Sequence, residues 1–351
     1  MPLWPTGRQK LNIPECLWYY LAVLLTIATY AFVLYLWKIS LPNPLDNYQH
    51  LNTQPLLDAD AFRALTSEPL TLDNAIVTSL YTDAYAPAVA TLGHSLNAAN
   101  SSARRIMLYI PEQISPRALC IAAASGFAPL PVPRIAPPHG GRGVYPRFVD
   151  QYSKLQLWAL GEHGVRAAVY LDADTLVRRG FDELFRLPYA FAAVPDVFVN
   201  HKGFSLMFNA GVLLVRPDKR VFEDMLAKVE TTSFPPKDAE QAFLNYYYGK
   251  EALRLPYAYN ANLAIKQRQP ALWEDLWPEV RIVHYTLVKP FLDDDERGVN
   301  VSFVLENAES KLGRRRGFFD QEIREWAEAW RETRRIYGDV LDACESKAAE
   351  H

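Results

Sequence analysis

A chain of 351 residues, half of them hydrophobic and 22% charged, has the material for a large buried core. Its 37 basic and 40 acidic side chains leave a net charge of −3, which gives a nucleic-acid partner no electrostatic footing. Three cysteines exclude a disulfide scaffold at this length, Cys16, Cys120 and Cys344 lack zinc-ligand spacing, and 13% aromatic content excludes general disorder.

Residues 17–37 read LWYYLAVLLTIATYAFVLYLW, without a charge, a glycine or a proline. At about 1.5 Å of helix rise per residue this run spans roughly 30 Å, the hydrocarbon thickness of a bilayer. Trp18, Tyr19 and Tyr20 at one end and Tyr35 and Trp37 at the other have the character of interfacial belts. A cleaved signal peptide would have a shorter apolar region, about 7–15 residues, and a small-residue cleavage site, which this stretch lacks. Arg8 and Lys10 favour a cytoplasmic N-terminus at 1–16, so the reading is a single-pass type II signal anchor. Residues 38–69, with Pro42, Pro44 and Pro55, then form a stem, and the rest is luminal, in the Golgi or the ER. The sequons Asn100-Ser-Ser and Asn300-Val-Ser agree with that side of the membrane.

From residue 70 to about 310 strand and helix patterns alternate. AIVTSL (75–80) predicts a strand, and Ala88, Leu92, Leu96 and Ala99 lie on one helical face. IMLYI (106–110) predicts the next strand and Pro116–Ser125 the next helix, followed by a Pro- and Gly-rich loop over Pro129–Gly143. A helix over Tyr152–Leu160 precedes strands at 167–171, 191–194 and 210–215. Helices follow over Lys219–Val229 and Lys237–Tyr248, then a late strand at 281–285. This order predicts an α/β fold with a mostly parallel, doubly wound sheet that binds ligands at the carboxyl ends of its strands.

The tail, residues 311–351, differs. Phe319, Ile323, Trp326, Trp330, Tyr337 and Leu341 form an apolar stripe on a charged background, read as an amphipathic helix docked on the domain. Lys311 and Arg314–Arg316 read as a solvated basic turn, with a phosphate patch as the alternative.

The sharpest chemical signal is VYLDADTLV at 169–177. An apolar strand delivers Asp172 and Asp174, which at period two project to one side beyond its end. Two carboxylates there make a site for a hard divalent cation with positions left for phosphate oxygens. An Asp-x-Asp triplet alone is common in turns and caps; its place after a buried strand, beside Arg178 and Arg179, is what points to a metal.

The stretch from about Asp73 to Pro290 resembles the family 8 retaining glycosyltransferases, the group that contains glycogenin. The resemblance rests on ordered motifs: IVTSLYTDAYAPAVATLGHSL (76–96), QYSKLQLWAL (151–160), YLDADTLV, FNAGVLLVRP (208–217), AEQAFLNYYY (239–248), LPYAYNAN (255–262) and IVHYTLVKPF (282–291). It implies a GT-A type, Rossmann-like fold and transfer of a hexosyl or N-acetylhexosaminyl group from a UDP-sugar to a glycan, lipid-linked or protein acceptor. By the same resemblance Asp172, Asp174 and His284 would bind Mn²⁺, with Ala173 as the middle residue of the motif. Ser79, Tyr81, Thr82 and Tyr85 would line the uridine pocket, and Lys154 and Lys289 would face the nucleotide sugar and diphosphate. Asn209 and Gln241 would hydrogen-bond the transferred sugar, and Glu240 would be the carboxylate near its anomeric face.

The chain departs from that pattern in places. Glu240-Gln241-Ala242 stands where the family usually has Asp-Gln-Gly, a further family acid falls at Lys237, and the segment between His284 and Lys289 lacks the usual glycine and is one residue shorter. Retention of configuration is open to two routes, attack by Glu240 as nucleophile or attack by the acceptor on the leaving-group face. A catalytically inactive luminal glycan- or nucleotide-binding protein of the same fold is the alternative to an enzyme.

Overall fold

A computed structural model describes residues 15–40, 71, 73–200, 202–249, 251–295, 297–298 and 300–346. The proposed stem beyond position 40 and the first 14 residues lie outside them. Glu15–Ser40 is one helix, and its Leu17–Lys38 portion is long and apolar enough to cross a membrane. It forms a unit separate from the remainder of the chain.

The second unit is built on a seven-stranded sheet. Its strands are β1 (Asn74–Leu80), β2 (Arg104–Tyr109), β3 (Ala128–Pro131), β4 (Ala167–Leu171), β6 (Phe191–Val197), β7 (Phe204–Val215) and β8 (Leu253–Arg254). They run in the order β3-β2-β1-β4-β7-β6-β8. Pairing is parallel from β3 through β4 and between β6 and β8, and antiparallel where β7 meets β4 and β6. The mostly parallel sheet with flanking helices agrees with the GT-A type expectation. Every residue of β4 is buried because both faces of the sheet are covered. Its period-two alternation sends Val169 to one core and Ala168 and Tyr170 to the other, as Ile76 and its neighbours Ala75 and Val77 do in β1.

Three short strands make a second sheet: β5 (Thr175–Val177), β10 (Ile282–His284) and β9 (Ala261–Asn262), in the order β5-β10-β9. Sequence periodicity does not separate β5 from β4. The Pro- and Gly-rich stretch read as a loop also contains β3, which pairs with β2 through main-chain bonds that ignore its composition. The segment Gln151–His163 is helical but of the 3₁₀ type. Trp158 fixes it: the indole stacks on Phe191 and Tyr248 and donates from Nε1 to the Tyr248 hydroxyl at 2.9 Å.

The C-terminal helix, Asp320–Ser346, docks on the domain through its stripe, with Ile323, Trp326, Trp330 and Leu341 buried in the core that holds Leu92 and Val169. Glu322 is fully buried there, held by Lys266 at 2.8 and 2.9 Å and by the Trp273 indole at 2.9 Å. A disulfide joins Cys120 in the helix Pro116–Ala123 to Cys344, with Cα atoms 5.6 Å apart, and the paired Arg117 and Glu345 lie beside it at 2.6 Å. The count of three cysteines excluded a disulfide scaffold and gave no sign of this single bridge between residues 224 positions apart. Lys311 corrects another reading: it is buried, not part of a solvated turn or phosphate patch, and donates to the carbonyls of Lys289 and Leu292.

Candidate active site

The carboxylate pair sits on a turn, not on a continuing strand. The Asp172 carbonyl accepts both the backbone N–H of Thr175 at 3.1 Å and its hydroxyl at 2.7 Å, which ends β4 and starts β5 in a new direction. β5 then pairs antiparallel with β10, setting His284 opposite Thr175. The result is a cluster of Asp172, Asp174 and His284 whose ligand atoms lie within 4.8 Å of one another. Imidazole Nε2 is 3.3 Å from Asp174 Oδ1 and 3.8 Å from Asp172 Oδ2. Burial holds the His284 pKa below its ordinary value, and a neutral imidazole is the form that ligates metal. Two carboxylates and one imidazole can therefore hold a divalent cation.

Close packing makes this geometry possible. A Cβ on Gly211 would lie 2.3 Å from His284 Cε1, so only glycine lets the ring approach β7. Asp172 is tied to the same strand, its N–H donating to the Gly211 carbonyl at 2.8 Å.

Lys154 is 2% exposed and joins two of the predicted residues. Its Nζ lies 3.1 Å from Asp172 Oδ1 and 2.8 Å from Glu240 Oε1, and donates to the Ala210 carbonyl at 3.1 Å. Desolvation opposes the buried ammonium, but the two carboxylates outweigh it and hold its pKa above the ordinary lysine value. Desolvation likewise opposes the Asp172 carboxylate, and Lys154 and His284 together hold its pKa down. Burial pushes the Glu240 carboxyl up, with Lys154 pulling the other way. Lys289, on the segment after β10, pairs with Asp174 Oδ2.

Of the predicted uridine residues, Ser79 connects to this centre through Tyr170. Ser79 at the end of β1 shares a 2.7 Å hydrogen bond with the Tyr170 hydroxyl, which donates to Asp172 Oδ1 at 2.8 Å. Desolvation pushes the Tyr81 phenol up, Ser79 opposing and Glu240 and Asp172 adding to it. Thr82 is exposed, and the Tyr85 ring meets Phe291 edge-on at 5.0 Å. Ala173, between the two aspartates, is buried.

Asn209 and Gln241 converge on a residue that sequence reasoning missed. Buried Asp196, at the end of β6, accepts from Gln241 Nε2 at 2.8 Å and from Asn209 Nδ2 at 3.3 Å. Gln241 Oε1 also accepts the Ala210 N–H at 2.9 Å. The described bonds thus use one of the two amide hydrogens on each side chain. Tyr170 was findable, since it lies on β4 only two residues before Asp172. Asp196 and Asn260 carried no spacing signal.

Residues 147–295 match the family described as Glycosyl transferase family 8. Glycogenin from Neurospora crassa is 29% identical over 210 residues, which cover 59% of this chain and 29% of that protein. Inositol phosphorylceramide glucuronosyltransferase 1 of Arabidopsis thaliana is 31% identical over 175 residues, 50% of this chain and 30% of the relative. Galactinol synthase 1 of the same plant is 33% identical over 168 residues, 39% of this chain and 47% of the relative. The chain spans less than half the length of each of these three. Among solved structures, the galactosyltransferase LgtC in complex with donor and acceptor sugar analogs aligns at a TM-score of 0.44 and 21% identity, covering 67% of this chain and 95% of that one. The WbbM bifunctional glycosyltransferase aligns at 0.47 and 16%, covering 74% and 52%. The region similar to family 8 glycosyltransferases, residues 147–295, holds Lys154, Asp172, Asp174, Asn209, Glu240, Gln241, His284 and Lys289.

Proposed function

We propose that this protein is a retaining glycosyltransferase that moves a hexosyl or N-acetylhexosaminyl group from a UDP-sugar to a glycan or glycoconjugate acceptor. The observation that carries the reading is the Asp172, Asp174 and His284 cluster joined through Lys154 to Glu240. A mixed carboxylate and imidazole set favours Mn²⁺ over Mg²⁺. A cation bound there would supply positive charge to the oxygens of the departing diphosphate.

The chain's own groups have the following roles in this reading. Ser79, Tyr81, Thr82 and Tyr85 receive the nucleoside, and Lys289 serves the diphosphate. Asn209 and Gln241 orient the sugar with the amide hydrogens that their bonds to Asp196 do not use. The acceptor hydroxyl oxygen bonds to the anomeric carbon as the bond from that carbon to the diphosphate breaks. The hydroxyl proton passes to the diphosphate oxygen on the same face, so configuration is retained. Glu240 favours this route over covalent attack, because its 2.8 Å ion pair with Lys154 ties up the carboxylate a nucleophile would need. Its charge instead stabilises positive charge developing on the ring.

The membrane setting belongs to the same proposal. An apolar helix at Leu17–Lys38 would anchor a luminal catalytic unit, in the Golgi or ER. The Cys120–Cys344 disulfide suits an oxidising compartment, and Asn100 and Asn300 are both exposed for glycosylation.

The test is UDP release from a panel of UDP-sugars by the full-length chain in detergent, with Mn²⁺ and with EDTA. Mn²⁺-dependent release supports the reading. Equal UDP affinity by calorimetry in Mn²⁺ and in EDTA would show that the cluster is no metal site. UDP binding without turnover of any donor and acceptor supplied would favour a binding protein of this fold.

A further inference from the structure

The hydrogen bonds behind His284 have only one consistent direction. Asn209 Oδ1 receives the backbone N–H of Gly211 at 2.9 Å, and a backbone N–H can only donate. Its amide end faces Asp196 Oδ1, an acceptor, which fixes the same orientation from the other side. The Asn260 atom 2.9 Å from Asn209 Oδ1 is therefore its NH2 group. Asn260 must then turn its carbonyl oxygen to His284 Nδ1, at 3.0 Å. A carbonyl oxygen only accepts, so Nδ1 carries the hydrogen of the neutral ring.

Whenever the ring is neutral, Nε2 then has the lone pair, directed at Asp174 Oδ1 and Asp172 Oδ2. In that form three lone-pair atoms face one another within 4.8 Å, an arrangement that a bound cation relieves. We propose that Asn260 is a positioning residue that sets the tautomer of His284, so that Nε2 and not Nδ1 is presented to a divalent cation. Asn260 is 1% exposed, and its place between the 3₁₀ turn Tyr257–Tyr259 and β9 sets it beside β10. The inference rests on reading Asp172, Asp174 and His284 as a cation site. It adds that the site's affinity is set from behind the ring.

The test uses the full-length chain in detergent, labelled with ¹⁵N-histidine, in EDTA at neutral pH. The His284 signal is identified by its absence in His284→Gln. We expect the Nδ1–H tautomer in the unmodified protein and a mixture of tautomers in Asn260→Leu. Mn²⁺ affinity, measured by calorimetry, should fall by about 10–100-fold in that variant. An Nε2–H tautomer in the unmodified protein overturns the proposal, and so does an Asn260→Leu variant with unchanged tautomer and Mn²⁺ affinity. Should Asn260→Leu fail to fold, the unmodified protein's spectrum still decides. Failure of the unmodified protein to bind Mn²⁺ overturns the metal reading instead, a separate result, because the tautomer is read without metal.

Discussion

Around His284 the polar atoms answer one another through Asn260, Asn209 and the Gly211 backbone, and the ring sits against a glycine that leaves it just enough room. Around Glu240 the support is of another kind. Glu240, 4% exposed, leans on the single ammonium of Lys154, and the residue before it, Ala239, has φ +47° and ψ −136°, a conformation that a side chain resists. The difference teaches that one end of the site is preorganised by many neutral bonds and close packing. The other depends on one buried charge and a strained turn. The first arrangement tolerates loss of a single bond better than the second tolerates loss of its lysine, since an unpaired buried charge costs far more than a missing neutral hydrogen bond.

The largest effect should come from breaking the second arrangement. Lys154→Met leaves the Glu240 and Asp172 carboxylates without their shared cation, and should destabilise the unit built on the seven-stranded sheet by about 3–5 kcal/mol. Denaturant unfolding followed by tryptophan fluorescence measures it, and Lys154→Met combined with Glu240→Gln should recover part of the loss. An unchanged midpoint in the single variant would mean that the pair is solvated and the contrast between the two ends unfounded.

The first arrangement can be attacked sterically. Gly211→Ala drives a methyl group into the imidazole, so Mn²⁺ affinity should fall by about 10–100-fold while the fold persists. Metal titration by calorimetry reads this directly. Affinity within two-fold of the unmodified protein would show that the ring moves freely and that close packing does not define the site.

The smallest effect sharpens the comparison from the strained side. Ala239→Gly relieves the backbone at little side-chain cost and should raise stability by about 1 kcal/mol. A thermal midpoint that stays level or falls would remove strain from the account of how Glu240 is held.

Much of this molecule was legible in the order of its residues. Apolar runs over 75–80 and 167–171 and the helical pattern over 219–229 mark their elements because side-chain period is a local property. The Asp172 and Asp174 pair was conspicuous for the same reason. Less visible was the course of the chain after Asp174, where β5 leaves the main sheet to pair with β10 and so brings in His284. Composition even masked β3, whose prolines read as loop although it pairs with β2 at the sheet edge.

What the sequence determined by itself was therefore the set of elements and the residue types able to do the chemistry. Tertiary structure alone decided which of them meet. Lys154 reaches Glu240 because stacking among Trp158, Phe191 and Tyr248 presses their two helices against the sheet. Cys120 finds Cys344 because the C-terminal helix docks along the helix Pro116–Ala123. Asn260, Asn209 and Asp196 become one network only where the end of β6, the middle of β7 and the residue before β9 converge. Periodicity reports on neighbours along the chain, whereas a hydrogen bond or a metal site depends on atoms brought within about 3 Å by packing between distant segments.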